Sequence, residues 1–419
     1  MPFVPGFLPS DNAPLFTNDG PATPWPPGTL LTISIPMLPT VSLDATQFGL
    51  CGGMSFLTRD IFEAETTQLR GTSCTKIPVA LANYLVSRLV QSFDGPATVA
   101  RWLNLTALPD HDTEIGGAGL FHQTVDECPA IMNDIDNGVL SPIGVILTGP
   151  SYWPGDVFNN HVELVYGWEQ EGNQLTLHVY DCNNPGRDDI TISLDISSPT
   201  PAKVISTNGT DDTDRPGQVR GFFRLPYAFA DPSPAYIDDA TVVSNWSKTE
   251  MTPGSTDTAT IVAVNTGSTS WTPARDYRLG SQAPQDNTNW GTARVDLPVA
   301  QVDPQDGAVF TFPITAPTLA GRYSFSWQMV RDPDAFFGTT FAPESVLVAP
   351  AGETTEVPDV RWSDQAFAEE TIADAGLDCK VFSTHIPDHG TVVRQVPTGG
   401  TAVLRGTTVS IWISTALDN

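Results

Sequence analysis

The spacing of apolar positions changes along the chain and marks its parts. Residues 1–46 are extended and proline-rich, with one strand-like run, Leu30 to Ile35. After the punctuating segment Gly49-Leu50-Cys51-Gly52-Gly53, Met54, Leu57 and Ile61 recur at helical spacing, which predicts a helix over Met54 to Ala64. Two further helical patterns cover Pro78 to Phe93 and Pro96 to Leu103, and a weaker one covers Leu120 to Ile135. From Leu140 the texture turns to short β-type runs: Ile143 to Leu147, His161 to Trp168, Leu175 to Tyr180 and Ile190 to Leu194. Helices first and strands second is an α+β order.

The segment Asp231 to Tyr236 reads as a linker. Beyond it, residues 240–349 alternate short β runs (Thr258 to Asn265, Val309 to Ile314, Arg322 to Val330) with turns, which suits an all-β sandwich. A second linker, Ala349 to Gly352, precedes a small module. There Ser363 is the expected N-cap of a helix ending at Ala375, and Gly376 is its stop. Three strand-like runs follow: Cys379 to Ser383, Thr391 to Gln395 and Thr407 to Ile413. The expected organisation is therefore 1–230, 240–349 and 355–416.

Composition sharpens this outline. Hydrophobic residues make up 40% of the 419 positions, enough for real cores, and 34 Gly with 37 Pro favour loop-rich, β-heavy structure. Asp and Glu outnumber Lys and Arg 48 to 20, for a net charge of −28. Phosphate contacts need clustered cations, so this balance argues against nucleic acid and against anionic lipid as partners. The longest uncharged run, Gly20 to Leu43, is broken by prolines, so no membrane insertion is expected. No signal peptide is visible at the N-terminus, and an exported or extracytoplasmic location is the favoured expectation. Of the five cysteines, Cys74 and Cys128 are the expected disulfide if the protein works outside the cytosol; five reduced thiols are the alternative.

The strongest chemical signal is Cys51 with His161. A cysteine just before a helix has its thiolate stabilised by the helix N-terminus, and the two glycines after it let the backbone turn. A nucleophilic cysteine needs a histidine, and the histidine an orienting partner. If the hairpin that follows His161 centres on Glu171, Asp181 lies opposite His161 and on the same face. Asn183 takes that place if the register slips by two. Cys182 is then expected on the other face of its strand. Asp110-His111-Asp112 is read as a solvated loop, because adjacent residues cannot all face one ion. No cofactor fingerprint and no metal site is found.

The segments Phe48-Gly-Leu-Cys-Gly-Gly-Met-Ser-Phe56, Asn160-His161 and Val179-Tyr-Asp-Cys-Asn-Asn-Pro-Gly186 resemble a bacterial family with a papain-like cysteine-peptidase-type domain. That resemblance covers roughly residues 1–230 and implies a helical part carrying Cys51 and a β part carrying His161 and Asp181. The family's usual Gln after the histidine is Val162 here, and its usual Pro after the aspartate is Cys182. Papain-like enzymes also use a glutamine upstream of the cysteine as an oxyanion donor. Gln47, closer than the usual spacing, is the candidate, a surface glutamine being the alternative, and the backbone N–H of Cys51 is the preferred donor. Residues 241–349 resemble a bacterial Ig-like domain of the autophagy-receptor type, through Asn265 to Trp271, Tyr277 to Ser281, Asn289-Trp290-Gly291 and Ser326 to Arg331. Residues 355–416 resemble a PASTA domain, through Val357 to Val360, Asp374 to Leu377, Gly390 to Val393 and Arg405 to Ile411. Together these imply a cysteine hydrolase, peptidase or amidase, acting on a peptide or amide by acyl transfer, with C-terminal modules that target it to cell-wall fragments or act as spacers. The alternative is a non-catalytic cell-surface or injected binding protein on a degenerate peptidase scaffold. Cys379 has His385 and His389 nearby but no orienting acid, so the C-terminal half is expected to take no part in the chemistry.

Overall fold

A computed structural model describes residues 2–18, 29–33, 41–44, 49–93, 95–114, 117–150, 159–246, 248–333, 335–341, 344–384 and 390–414. The described residues are multidomain and mostly β, with six α-helices and several sheets. The chain divides into two compact units: Met1–Asp239 with Asn265–Ser270 and Asp303–Asp306, and the remainder. The first unit has one hydrophobic core; the second has two separate ones. Among the described residues no helix is long and apolar enough to cross a membrane.

In the first unit a short helix α1 (Pro9–Asn12) leads into β1 (Leu15–Thr17). A hairpin follows, β2 (Thr29–Ile33) with β3 (Val41–Asp44), and then helix α2 (Cys51–Glu63). Strand β4 (Arg70–Ser73) runs parallel to β1. Helices α3 (Val79–Ser92), α4 (Gly95–Ala107) and α5 (Leu120–Asp136) complete the helical part. Each follows its apolar stripe; α3, for example, buries Leu81, Leu85 and Leu89 at spacing four.

Helix α2 starts earlier than its apolar pattern announces, at Cys51 itself, so Gly52 and Gly53 are helical. Their smallness serves close packing instead of a sharp turn. A Cβ on Gly53 would lie 2.2 Å from the Leu85 carbonyl oxygen, and one on Gly52 would lie 2.5 Å from Ser92 Oγ. The first turn of α2 is thus pressed against α3 with no room for a methyl group.

Strands β5 (Ser141–Ile146), β6 (His161–Glu171), β7 (Gln174–Tyr180), β8 (Thr191–Asp195), β9 (Ile205–Thr207), β10 (Gln218–Val219) and β11 (Gly221–Arg224) form one sheet in the order β10-β9-β8-β7-β6-β5-β11. Every neighbouring pair is antiparallel. The β6–β7 connection is a two-residue turn, Gly172-Asn173, with Gly172 at φ +61°. Tyr166 is an extra residue in β6, because Val165 pairs with Val179 while Gly167 pairs with His178.

The second unit carries a β-rich region whose core holds Trp271, Trp290, Trp327, Tyr277 and Phe310, all fully buried. Its strand Gly307–Thr315 alternates buried and exposed residues without a break. The single run expected over Arg322 to Val330 is two strands. Gly321–Phe325 pairs with Glu344–Val348, and Trp327–Arg331 pairs with Tyr277–Ser281, so the chain changes sheet at Ser326.

The last core surrounds α6 (Gln365–Asp374). Its N-cap is Asp364, whose Oδ1 accepts from Phe367 N–H at 2.9 Å; the neighbouring Ser363 hydroxyl donates to the Val360 carbonyl instead. Gly376 follows at φ +72°, a conformation that suits a helix stop. Strand Thr408–Ser414 lies between Asp378–Thr384, parallel to it, and Val392–Val396, antiparallel. His385 and His389 fall outside the described residues.

Candidate active site

The chemistry-bearing residues of the first unit converge where α2 begins, beside the start of β6 and the end of β7. His161 is the first residue of β6 and is buried. The chain just before it is pinned by Asn160, whose Oδ1 accepts from Leu147 N–H at 2.9 Å and from Thr148 N–H at 3.2 Å.

His161 Nε2 lies 2.8 Å from Asp181 Oδ1. The contact is not the directly opposed pair that hairpin arithmetic puts there. The two-residue turn and the Tyr166 bulge set Leu164 against Tyr180, which carries on to Glu163 against position 181 and His161 against 183. The register is two residues from the expected one, yet Asn183 does not bond the imidazole. Asp181 has already left β7 and reaches His161 on the diagonal.

Asp181 is saturated with donors. Oδ1 accepts from His161 and, at 3.0 Å, from Asn183 N–H. Oδ2 accepts from Asn184 Nδ2 at 2.7 Å and from both Thr210 N–H and Thr210 Oγ1 at 2.8 Å. Burial alone would raise its pKa, but the charge and hydrogen bond of His161, with the other donors, hold it well below the usual carboxylate range. For His161 burial alone would lower the pKa. The Asp181 charge and hydrogen bond, followed by the hydrogen bond and charge of Cys51, raise it well above the ordinary value. Cys51 and Asp181 thus act on the same ring, and with Nε2 committed to Asp181 the nitrogen left for Cys51 is Nδ1. The imidazolium form is favoured there.

Cys182 differs from its expectation. Its thiol, a His161 ring nitrogen and an Asp181 oxygen all lie within 4.8 Å of one another, so it faces the site. The alternation that would turn it away ends at Tyr180, and residues 182–186 are turns and a bend. Burial, then the nearby Cys51 charge, keeps it a neutral thiol, its pKa well above the usual range. A His, an Asp and a Cys this close resemble a metal-ligand set, but five donors already occupy the Asp181 oxygens, which argues against an ion there.

Sequence reasoning missed Glu163. It lies two residues after His161 on the same face of β6, is fully buried, and neither carboxyl oxygen has a hydrogen-bond partner among the described residues. Burial, reinforced by the Asp181 charge, pushes its pKa well above the ordinary value and favours the protonated form. The signal was a charged residue inside the apolar run His161-Val-Glu-Leu-Val-Tyr166.

Gln47 lies outside the described residues. Cys74 and Cys128 are both buried and are not joined in the expected disulfide. Cys128 faces the core from the middle of α5, with its thiol directed at the Thr124 carbonyl and its pKa pushed up to about 12 by burial. Asp110 and Asp112 part company: Asp110 pairs with Arg215 and Arg220, and Asp112 with His122.

Residues 355–415 match the PASTA domain family. No curated protein matches the chain. Among solved structures, the extracellular region of the Ser/Thr kinase PrkC from Staphylococcus aureus is similar over 20% of this chain and 34% of that one, at 21% identity and a TM-score of 0.14. The chain therefore spans about a third of the length of that extracellular region. AvmM, described as catalysing macrocyclization in alchivemycin A biosynthesis, is similar over 28% of this chain and 93% of that one, at 9% identity and a TM-score of 0.20. At these scores neither likeness bears on the fold.

Proposed function

We propose that residues 1–230 are a papain-like cysteine hydrolase domain, residues 240–349 an Ig-like spacer and residues 355–416 a cell-wall-directed module of an exported protein. The observation that carries the hydrolase reading is the buried His161–Asp181 pair, with Cys51 acting on the same imidazole from the start of α2. The Cys51 thiolate attacks the carbonyl carbon of a peptide or amide, and the backbone N–H of Cys51 stabilises the oxyanion. His161, charged at that moment, passes its proton to the departing amine as the C–N bond breaks and a thioester forms. It then takes a proton from the water that hydrolyses the thioester. Asp181 fixes the ring and its charge throughout. The PASTA match supports wall fragments as the partner of the C-terminal module.

Alkylation tests the reading. Iodoacetamide should modify Cys51 at pH 6 in the wild type, and His161→Ala should slow that reaction by at least about tenfold. Cys51→Ala should abolish hydrolysis of small peptide or amide substrates while the chain stays folded. Equal alkylation rates at pH 6 with and without His161 would overturn the hydrolase. Sedimentation of the full chain with purified cell-wall sacculi tests the targeting role, and failure to co-sediment would leave the module a spacer.

A further inference from the structure

Cys51 belongs to a helix, whereas His161 and Asp181 belong to a sheet and its turn. Something has to register the one against the other. One turn into α2, Ser55 Oγ donates to the Val162 carbonyl of β6 at 3.1 Å, but the end that carries Cys51 has no capping side chain of its own: its N-cap is Leu50, which cannot accept a hydrogen bond. The Leu50 N–H instead donates to Asn18 Oδ1 at 2.8 Å. A backbone N–H can only donate, so this bond fixes which end of the Asn18 amide faces α2. The other end, Nδ2, donates to Asn183 Oδ1 at 3.1 Å. Asn183 in turn donates its backbone N–H to Asp181 Oδ1, and its Nδ2 bonds Thr210 Oγ1 at 2.8 Å. One unbroken line of hydrogen bonds therefore runs from the residue before Cys51, through Asn18 and Asn183, to Asp181 and His161. The amide also lies against Gly49: a Cβ there would sit 3.1 Å from Asn18 Nδ2.

We propose that Asn18 is a positioning residue that sets the backbone carrying Cys51 in register with the acid that orients His161. The proposal rests on the hydrolase reading for its consequence but not for its geometry. Without Asn18, Leu50 N–H loses its acceptor and the Asn183 side chain keeps Thr210 and the long contact from the Cys182 thiol. The first turn of α2 then loses its tether to the acid, with Ser55 to Val162 holding the helix further along, although every residue that would touch substrate is still present.

The test uses the full chain and two readouts that a purely stabilising residue would not move. One is the pH profile of Cys51 alkylation; the other is the low-field proton resonance of the His161 Nε2–H that faces Asp181. Asn18→Ala should lower the alkylation rate at pH 6 by about tenfold, the size of one positioned hydrogen bond, and should shift or broaden the resonance. Asn18→Asp keeps an acceptor for Leu50 N–H but turns a second oxygen towards Asn183 Oδ1, so it should break the acid side alone. Asn183→Ala should reproduce that effect, and the double variant Asn18→Ala with Asn183→Ala should be no worse than Asn18→Ala alone. If Asn18→Ala does not fold, Asn18→Asp and Asn183→Ala carry the test. Folded variants with the wild-type pH profile and an unmoved resonance would overturn the proposal. Should wild-type alkylation prove independent of His161, the hydrolase reading fails, and the resonance by itself decides the role of Asn18.

Discussion

The core of the first unit and the tryptophan-rich core of the second solve the same problem with opposite materials. In the first, Asp60, Arg88, His161, Glu163, Asp181 and Arg220 are all buried. In the second, the buried polar side chains among the described residues are uncharged, Ser281 and Ser326. Its charged groups stay towards the surface, as where Arg278 and Arg294 share Asp332. A core of Trp, Tyr and Phe is held by apolar area and does not depend on pH. A core threaded with ionised groups needs every lone pair matched, and a mismatch costs more than a lost contact. The difference teaches where chemistry can be housed: among the described residues, the fully buried groups whose pKa is pushed well away from its ordinary value lie in the first unit.

The most severe break in that comparison should come from Asp60. Arg88 reaches it through Nε at 2.7 Å and Nη2 at 2.9 Å, and Tyr84, Tyr227 and Ala230 N–H also donate to it. Asp60→Ala leaves a buried guanidinium uncompensated and should cost about 3–5 kcal/mol in chemical unfolding; a loss below about 1 kcal/mol would show that Arg88 finds water. Trp327→Ala should cost about as much, 3–5 kcal/mol, by leaving a cavity. It differs in kind, however, because the alkylation profile of Cys51 should be unchanged under native conditions. A shifted profile would mean the two cores are not independent.

Glu163→Gln should have a smaller effect, and one that depends on pH. The folded pKa of Glu163 lies above its ordinary 4.5, so the folded chain keeps a proton that the unfolded chain releases. The favourable contribution is complete below about pH 4.5 and is lost as pH rises towards the folded value. The glutamine variant should therefore match the wild type at pH 4 and gain on it by up to about 1.4 kcal/mol per pH unit above that. Thermal melts at three pH values check this, and a constant difference would mean Glu163 stays ionised. Smallest of all, Arg278→Ala, which removes half-exposed ion pairs to Asp296 and Asp332, should change stability by no more than about 1 kcal/mol.

Much of this architecture could be read from the chain, and the failures have physical causes. Helices α3 and α5 were legible because their apolar faces repeat over several turns. The start of α2 was not, since Cys51-Gly-Gly carries no apolar period and reads as a turn until α3 is seen against it. His161 and Asp181 were legible as chemistry, but the register that joins them was not, because nothing in the sequence marks Tyr166 as a bulge. Cys182 was placed by strand alternation, a rule that stopped applying one residue earlier. Asn18 stood no chance of notice: it lies 32 residues from Leu50 and 165 from Asn183, with no pattern connecting them.

The five donors around Asp181 also restrict what evolution can write at that position. Asparagine has the same shape and offers one oxygen, but its other end is itself a donor. Turned one way, that end would confront His161 and Asn183 N–H; turned the other, it would confront Asn184 Nδ2 and the two groups of Thr210. Neither orientation escapes a clash of donors. Drift from aspartate to asparagine, one nucleotide change away, is closed unless the turn at 183–184 or the loop at 210 changes in the same lineage. The acid and its surroundings can vary only as a block.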